Sequence, residues 1–324
     1  MSKFSALKFP ISFLVILICF NFIFPQPPEE KDKKKKEGKV RVMTIPISIF
    51  SKQEIKANQT EEYLEAGNLL VKENGEDQEI LSIRSTSNTP MALAILIQDN
   101  LSTTFNLELA RLAQFIKRLP KGSRVMVGYL RGGSIQTRQK FTEDLEKAAN
   151  SLRIVAGGAG FAPNSPYEGV REALDKFEAL PLGRRSVLLI SDGLDASDGL
   201  ENSSPGQSLE LERAILKAQR KSVAVYCFYS TTNFTENNNS SIAVLNAQSS
   251  LSKLSEETGG RAFFQGTFSP VSLDPFFRDL DVALTRQFVL SYLSTHMKKG
   301  YYKVQVLSTN PEIKIDHPKG YVFR

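Results

Sequence analysis

The feature of this sequence that most constrains its fold is a series of short apolar runs separated by segments with helical spacing. The runs at 91–97, 186–190 and 223–229 are mostly apolar, which is typical of strands buried on both faces of a sheet. Between them, apolar residues such as those at 109–119 recur every three or four positions, as on one face of a helix. This alternation predicts βαβ units, and therefore a doubly wound, mostly parallel, Rossmann-like α/β sheet over residues 91–286.

Both flanks of this region have the patterning of β-strands instead. The dipeptide Asn74-Gly75 lies between two apolar segments and indicates a hairpin, because both residues tolerate positive φ. Strand-like segments are present at 40–50, 68–73 and 79–83 before the α/β region, and at 288–293, 302–307 and 312–315 after it. We expect segments 40–90 and 287–324 to pair into one accessory β module.

The beginning of the chain has the pattern of a targeting segment. Lys3 and Lys8 precede an apolar run at 9–24, which is short for a membrane-spanning helix and long enough for the core of a signal peptide. No small-x-small pattern precedes Pro25, so residues 1–25 are either a cleaved signal peptide or a retained N-terminal anchor. We therefore expect an exported protein that contacts the membrane only through this segment.

The charge distribution and the cysteines bear on several other classes of protein. The formal net charge is +6, but part of the excess lies in a charged linker at 26–39, so no nucleic-acid-binding face is indicated. A solvated tether is the first interpretation of that linker, and contact with anionic lipid headgroups is the alternative. Cys19 lacks the small preceding residue that a lipoprotein signal needs. Cys227 lies in an apolar run, which favours a buried, inert thiol over a nucleophile.

Two carboxylates follow predicted strands of the parallel sheet. Asp99 follows the run at 91–97, and Asp192 follows the run at 186–190. In open α/β sheets, ligands bind outside the carboxyl ends of the strands, so we expect both side chains at the same edge. With hydroxyl groups nearby, such an edge is suited to a hard cation such as Mg²⁺.

A series of motifs accompanies these two carboxylates. They are the strand that ends at the Asp99 loop, Ser191-Asp192-Gly193 after 184–188, Thr258-Gly259-Gly260 before a short strand, 141–144 before a helix, 70–75 upstream, and 288–292 with Gly320-Tyr321 downstream. In this order and spacing they resemble a von Willebrand factor type A (VWFA) domain, and the flanking motifs resemble a bacterial subgroup of exported proteins. The resemblance covers nearly everything after Lys39. It implies a location that is periplasmic, membrane-anchored or at the cell surface of a bacterium.

The resemblance also implies a metal-ion-dependent adhesion site. Asp99 and Asp192 match two carboxylate positions of that site, and Thr103 keeps a hydroxyl at a third position. The implied cofactor is Mg²⁺ or Mn²⁺, held by these three residues. The alternative is that the two carboxylates accept hydrogen bonds from loop amides and helix N-termini without a metal.

The implied metal site is degenerate at two other positions. Leu101 stands where the family has a serine ligand, and it has no donor atom. Ala159 stands where the family has a threonine, with Asn164 and Ser165 of the same loop as possible substitutes. Because Mg²⁺ requires near-octahedral oxygen geometry, these changes are expected to weaken metal binding.

The sequence contains no pattern of an enzyme active site. His296 and His317 both lie in the C-terminal β segment, without a serine elbow or a cluster of His and Cys. We expect non-enzymatic protein–protein or matrix binding, through the carboxyl-edge loops. The residues expected to contact the partner are Asp99, Asn100, Ser102, Thr103, Asn164, Ser165 and Asp192. The alternative is a structural envelope component with a vestigial site, which assembles through its β module.

One further polar run lies at the same expected edge. Residues 230–241 are rich in Thr and Asn and directly follow the apolar run at 223–229. A solvated loop is the first interpretation of this run. Contact with the partner is the second, because of its place at the carboxyl edge.

Overall fold

The computed structural model describes residues 40–51, 69–87, 89–158, 164–178, 180, 184–237, 241–267 and 270–323. The expectations for the targeting segment and the charged linker lie outside these residues and stay predictions. In the part of the chain that the structure describes, no helix has the length and apolar character needed to cross a membrane.

The elements follow the predicted rhythm of strands, then alternating strands and helices, then strands. The strands are β1 (Arg41–Ser51), β2 (Leu69–Glu73), β3 (Glu76–Ser85), β4 (Ala92–Gln98), β5 (Arg124–Arg131), β6 (Ser134–Thr142), β7 (Arg185–Ser191), β8 (Ala224–Tyr229), β9 (Ala262–Phe263), β10 (Gln287–Ser294), β11 (Gly300–Ser308), β12 (Ile313–Asp316) and β13 (Gly320–Phe323). The α-helices are α1 (Leu109–Lys117), α2 (Leu145–Asn150), α3 (Pro166–Asp175), α4 (Leu209–Arg220), α5 (Asn233–Asn237), α6 (Ser241–Thr258) and α7 (Asp274–Thr285), with 3₁₀ turns at Thr103–Glu108 and Leu200–Asn202.

The central sheet has six strands in the order β6-β5-β4-β7-β8-β9. All neighbours are parallel except the edge strand β6, which is antiparallel to β5. The structure therefore confirms the predicted α/β class with a mostly parallel sheet.

Helices cover both faces of this sheet. Along β4, Leu93, Ile95 and Ile97 point into the apolar cluster shared with α1, α2 and α7, whereas Ala94 and Leu96 point into the cluster shared with α3, α4 and α6. Side chains of a strand alternate between its faces, so a strand covered on both sides must be apolar at every position. Complete burial of each Leu or Ile stabilises the fold by about 1.5–3 kcal/mol relative to exposure.

The second sheet has seven strands in the order β12-β1-β10-β3-β2-β11-β13, and neighbouring strands in it are antiparallel. We call it the β module. Strands from the two flanks interleave in it, since β10 lies between β1 and β3. Asn74 and Gly75 have φ of 48° and 89° and form the two-residue turn between β2 and β3, as their sequence predicted.

The chain leaves and re-enters the β module at adjacent positions. The backbone amide of Thr86 donates to the carbonyl oxygen of Gln287 at 3.1 Å, and its hydroxyl donates to the same oxygen at 2.7 Å. The two connections between the β module and the α/β part therefore lie side by side.

A buried carboxylate connects several strands of the β module. Glu73 is fully buried. Its Oε1 accepts hydrogen bonds from the hydroxyls of Tyr292 and Tyr321, both at 2.8 Å. Its Oε2 accepts from the hydroxyl of Ser294 at 2.7 Å and lies 2.9 Å from Nδ1 of His296. The side chain of Glu73 thus joins strands from both flanks of the chain.

The polar run after β8 differs from its predicted solvated loop. Thr231 and Thr232 are fully buried, and the run continues into the short helix α5. The expectation was wrong at this point because the composition of a run does not show whether its hydroxyls find partners inside the protein. Here the hydroxyl of Thr232 donates to a buried carboxylate, which satisfies it.

Candidate functional site

The candidate site lies beside β4, where the chain connects to strands on opposite sides of the parallel sheet. Strand β4 is flanked by β5 on one side and by β7 on the other. Connections from β4 therefore diverge, and the divergence opens a crevice at the carboxyl ends of the strands, which is the usual ligand position in open α/β sheets.

The side chain of Gln98 fixes the strand ends at this crevice. Its Oε1 accepts hydrogen bonds from the hydroxyl of Ser191 at 2.5 Å and from the amide of Asp192 at 3.1 Å. Its Nε2 donates to Oδ1 of Asn100 at 2.9 Å. One amide side chain thereby joins the end of β4, the end of β7 and the loop after β4.

Asp99 lies between two arginines. Its amide donates to the carbonyl oxygen of Leu130 at 2.9 Å, which holds the loop against the end of β5. Nη1 of Arg153 lies 2.8 Å from Oδ1 of Asp99, and Nε of Arg131 lies 3.9 Å from Oδ2. The side chain of Asp99 is 11% exposed, against 28% for Arg153 and 71% for Arg131. Arg153 is therefore the partner in the protected position, and Arg131 is the exposed one.

Arg153 is fixed by both its backbone and its side chain. The hydroxyl of Tyr129 donates to the carbonyl oxygen of Arg153 at 2.6 Å and accepts from its amide at 2.8 Å. The guanidinium carbon lies 4.1 Å from the centre of the Tyr129 ring, a cation–π distance. The close ion pair with Asp99 raises the pKa of Arg153, and burial raises the pKa of Tyr129, so near neutral pH the arginine is charged and the phenol is protonated.

The loop that follows Arg153 is held at two further points. Asn106 makes a pair of hydrogen bonds with the backbone of Val155, donating to its oxygen at 3.1 Å and accepting from its amide at 2.8 Å. Asn233 donates from Nδ2 to the carbonyl oxygen of Gly158 at 2.9 Å. Gly157 has φ of 69°, a backbone conformation that favours glycine, and a Cβ there would lie 3.1 Å from Cγ2 of Thr103, which is a tight contact.

Asp192 is directed into the protein. It is only 3% exposed. Its Oδ1 accepts from the amide of Leu194 at 3.1 Å, and its Oδ2 accepts from the hydroxyl of Thr232 at 2.9 Å. Burial raises the pKa of Asp192 above its ordinary value, while these hydrogen bonds act in the opposite direction. As placed, Asp192 connects the loop after β7 with the loop after β8.

The residues after Asn100 are divided between the core and the surface. Leu101 is fully buried, belongs to the apolar core and forms an isolated antiparallel bridge with Thr232. Ser102 is buried, and its amide donates to the carbonyl oxygen of Thr231 at 2.8 Å. Thr103 is exposed. The predicted ligand spacing therefore does not place three oxygen donors on one side of this loop.

Asn164 and Ser165 lead into helix α3. Ser165 is the N-cap residue, and its hydroxyl accepts from the amide of Tyr167 at 3.3 Å, which satisfies one free amide of the first turn. The carbonyl oxygen of Asn164 accepts from the amide of Ala196 at 3.0 Å. Ala159, the other position at which the family motif is altered, lies outside the described residues.

These loops surround a cavity of about 290 Å³ at the crevice. Among the described residues, those that line it are Gln98, Asp99, Asn100, Leu130, Arg131, Gly132, Gly133, Ala156, Gly157, Gly158, Asn164, Ser165 and Pro166. Of the seven residues predicted to bind a partner, Asp99, Asn100, Asn164 and Ser165 are in this lining, whereas Ser102, Thr103 and Asp192 are not.

Two arginines of the site were missed by the sequence reasoning. Arg131 ends β5, so the same edge rule that identified Asp99 would have found it. Arg153 follows helix α2 and not a strand, and its position depends on the bonds from Tyr129 described above. No spacing in the sequence reports such a contact.

The described residues do not fit the implied metal. A divalent cation such as Mg²⁺ needs several oxygen ligands with free lone pairs in near-octahedral positions. At this edge, Asp99 is paired with Arg153, both oxygens of Asp192 accept hydrogen bonds, and Leu101 offers no donor. Throughout the described ranges, no group of three His, Cys, Asp or Glu side chains lies close enough together to hold a metal ion.

Comparisons with known proteins give low similarities. No family model matches the chain, and no curated protein matches it. Among solved structures, an aerotolerance-related membrane protein from Bacteroides fragilis is 11% identical with a TM-score of 0.40, and the match covers 60% of this chain and 98% of that one.

Two other solved structures are similar to parts of this chain. The SpRpn10 VWA domain is 16% identical with a TM-score of 0.31, over 44% of this chain and 75% of that one. The manganese-loaded TRAP protein of Plasmodium vivax is 11% identical with a TM-score of 0.35, over 74% and 97%. At these scores we base the fold on the strand order and draw nothing about function from the similarity.

Proposed function

We propose that this chain is a non-enzymatic binding protein that captures a protein or matrix ligand in the cavity at the carboxyl edge of its parallel sheet. The observation that carries the proposal is the cavity itself, which lies where β4 separates β5 from β7 and is lined by Asp99, Asn100 and Arg131. A concave site with a few fixed polar groups at such a point is the usual form of a ligand site.

The rigidity of the cavity wall supports this role. The side chain of Gln98 ties together three segments of the wall, and Asn106 and Asn233 hold the loop on the opposite side. A partner that binds a wall already in position orders few groups on binding, so less of the interaction energy is lost to ordering. Asp192 also stabilises the wall, because it joins the loop after β7 to the loop after β8.

The placement of the nucleophilic and basic side chains favours binding over catalysis. Cys227 is buried, and burial raises the pKa of its thiol to about 12, so the thiolate is scarce at neutral pH. His296 contacts Glu73 in the β module, and His317 is buried in the same module. None of these three residues is among the described residues that line the cavity.

We further propose that the protein acts at a bacterial envelope, exported by its N-terminal segment. Its second candidate function is assembly of a larger envelope structure through the β module. That reading is favoured by Leu70 and Leu307, cross-strand neighbours on β2 and β11, which are 44% and 45% exposed and form an apolar pair at the surface.

A photo-crosslinking experiment tests the binding site. A photoreactive amino acid replaces Asn100 at the cavity in one version of the full chain. In a second version it replaces the exposed Lys121, in the turn before β5 and thus at the opposite edge of the sheet. Both are irradiated in the membrane fraction of cells that make the protein. We expect a discrete protein adduct from position 100 and none from position 121.

A charge reversal with a matched control completes the test. Arg131→Glu alters an exposed residue of the cavity, whereas Arg118→Glu alters a similarly exposed arginine at the end of α1; the two side chains are 71% and 65% exposed. Arg131→Glu should reduce the adduct from position 100 at least about tenfold, the size of one lost charge-assisted contact. If Arg131→Glu leaves the adduct as unchanged as Arg118→Glu does, the proposed binding site at the cavity is refuted. An adduct lost instead on changing both Leu70 and Leu307 to Ser would favour the β module.

A further inference from the structure

The carboxylate of Asp99 already has a cation inside the chain. Nη1 of Arg153 lies 2.8 Å from its Oδ1, and the exposed Arg131 places a second guanidinium 3.9 Å from its Oδ2. A divalent ion bound to the same carboxylate would lie within a few ångströms of both guanidinium groups. Like charges at such distances repel strongly away from bulk water. The two arginines therefore compete directly with the metal that the resemblance implied.

Arg153 is built into this position. Tyr129 bonds to both its amide and its carbonyl oxygen, and the Tyr129 ring lies under its guanidinium. Asn106 makes hydrogen bonds with both the amide and the carbonyl oxygen of Val155, which lies two residues after Arg153 in the chain. Because the backbone and the guanidinium are held, the guanidinium loses little freedom in pairing with Asp99. A planar guanidinium is also suited to a carboxylate at close range.

The other metal-site positions are consistent with this substitution. Leu101 is fully buried in the apolar core, where a serine would leave a void. Asp192 accepts bonds from Leu194 and Thr232 and does not line the cavity. Leu101, which departs from the motif, and Asp192, which matches it, thus both have roles in the fold that do not involve a cation.

We propose that the Arg153 guanidinium is the permanent cation of this site, in place of the divalent ion that the resemblance implied. Partner capture at the cavity is therefore independent of divalent metal. Metal-independent capture of a partner rests on the proposed function. Exclusion of the metal from Asp99 by Arg153 rests on the geometry alone.

Binding of Mn²⁺ is measured first, because this arm needs no partner. The full chain is freed of metal with EDTA, and Mn²⁺ is titrated to millimolar concentration while the electron paramagnetic resonance signal of free Mn²⁺ and the thermal midpoint are followed. A ligand that binds only the native state raises the midpoint. We expect neither the free signal nor the midpoint to change. Stoichiometric uptake of Mn²⁺ that Asp99→Asn removes would overturn the proposal.

Capture in EDTA and in Mg²⁺ is measured next, with the crosslinker at position 100. The wild type should give the same adduct in both. Arg153→Met removes the charge but keeps an apolar stem over Tyr129, and the two bonds from Tyr129 go to backbone atoms that the substitution leaves in place. It should therefore fold, with a thermal midpoint lowered by about 2–4 °C, and should lose at least about nine-tenths of the adduct in both conditions. Arg153→Lys, which keeps the charge, should retain part of it.

The outcomes separate the inference from the proposed function. No adduct from the wild type in either condition refutes the proposed function and leaves the Mn²⁺ arm as the test of Arg153. An adduct that EDTA abolishes in the wild type overturns the metal-independent site. An adduct of full strength from folded Arg153→Met overturns the role of its charge.

Discussion

The buried carboxylate of Glu73 gives the sharpest test of how the β module is held together. Glu73 has no exposed surface, and it accepts hydrogen bonds from Tyr292, Tyr321 and Ser294 while contacting His296. We predict that Glu73→Gln destabilises the protein. The new side chain has nearly the same volume, but one of its two ends becomes an NH₂ group, which faces groups that previously donated to the carboxylate.

The magnitude follows from the bonds that change. Hydrogen bonds to charged groups contribute about 1.5–3 kcal/mol each, and at least two of them lose their acceptor at the amide end. Removing the buried charge offsets part of this loss, because taking a carboxylate out of water costs several kcal/mol. The expected net loss in the free energy of unfolding is about 2–4 kcal/mol.

Urea unfolding followed by far-ultraviolet circular dichroism measures this loss; the chain contains no Trp for fluorescence. With a slope of about 3 kcal/mol per molar urea, the midpoint should fall by about 1 M. The matched control is Glu76→Gln, on the adjoining strand, where the carboxylate is 69% exposed and lies 3.6 Å from Nε2 of His296. It should cost less than about 0.5 kcal/mol. Equal midpoints for the two variants would refute the central role assigned to Glu73.

Two further predictions follow from other buried groups. Burial lowers the pKa of His317 to about 4 from its ordinary 6.5, so the unfolded chain binds a proton that the folded one does not between these values. The contribution of His317 to the free energy of unfolding should therefore be complete above pH 6.5 and fall by about 3 kcal/mol towards pH 4. When the free energy of unfolding is measured by urea denaturation at several pH values, His317→Gln should reduce its dependence on pH between 4 and 6.5. The same dependence in the wild type and in His317→Gln would contradict the lowered pKa of His317. Leu101→Ser, which introduces the serine of the motif that the sequence resembles, should cost about 3 kcal/mol in thermal unfolding. It should gain no Mn²⁺ response; a raised thermal midpoint with Mn²⁺ would show that the metal site is recoverable.

The parallel sheet was predictable because its signal is local and strong. Strands covered on both faces are apolar along their central positions, as β4 is at 92–97 and β7 is at 187–190. The edge rule then places Asp99 and Asp192 correctly at the carboxyl ends. The orientation of Asp192 was not predictable. It depends on Gly193, whose φ is 74°, and on Thr232, which reaches it from a different loop. A polar run does not reveal that its hydroxyls are satisfied inside the protein.

In the β module, too, features that depend on neighbouring residues were predictable, and features that depend on residues far apart in the sequence were not. The Asn74-Gly75 turn and the strand patterning of the flanks were visible in the sequence, since each depends on neighbouring residues. The interleaved strand order was not, because alternation shows which face of a strand is buried and not which strand lies beside it. Arg153 belongs with these distant effects: its pairing with Asp99 depends on Tyr129 and Asn106, and the three come together only in the folded chain.

The interleaving of the β module also bears on how the protein is made. Both neighbours of β1 are C-terminal strands, β10 and β12, and about 200 residues separate Ser85 from Gln287. During synthesis, β1 therefore has no native neighbour until β10 has emerged. The α/β region, whose strand pairs lie closer together in the sequence, has no such delay. We expect the β module to close last, so that a chain truncated before β10 presents β1 as an unpaired edge open to aggregation or to a chaperone.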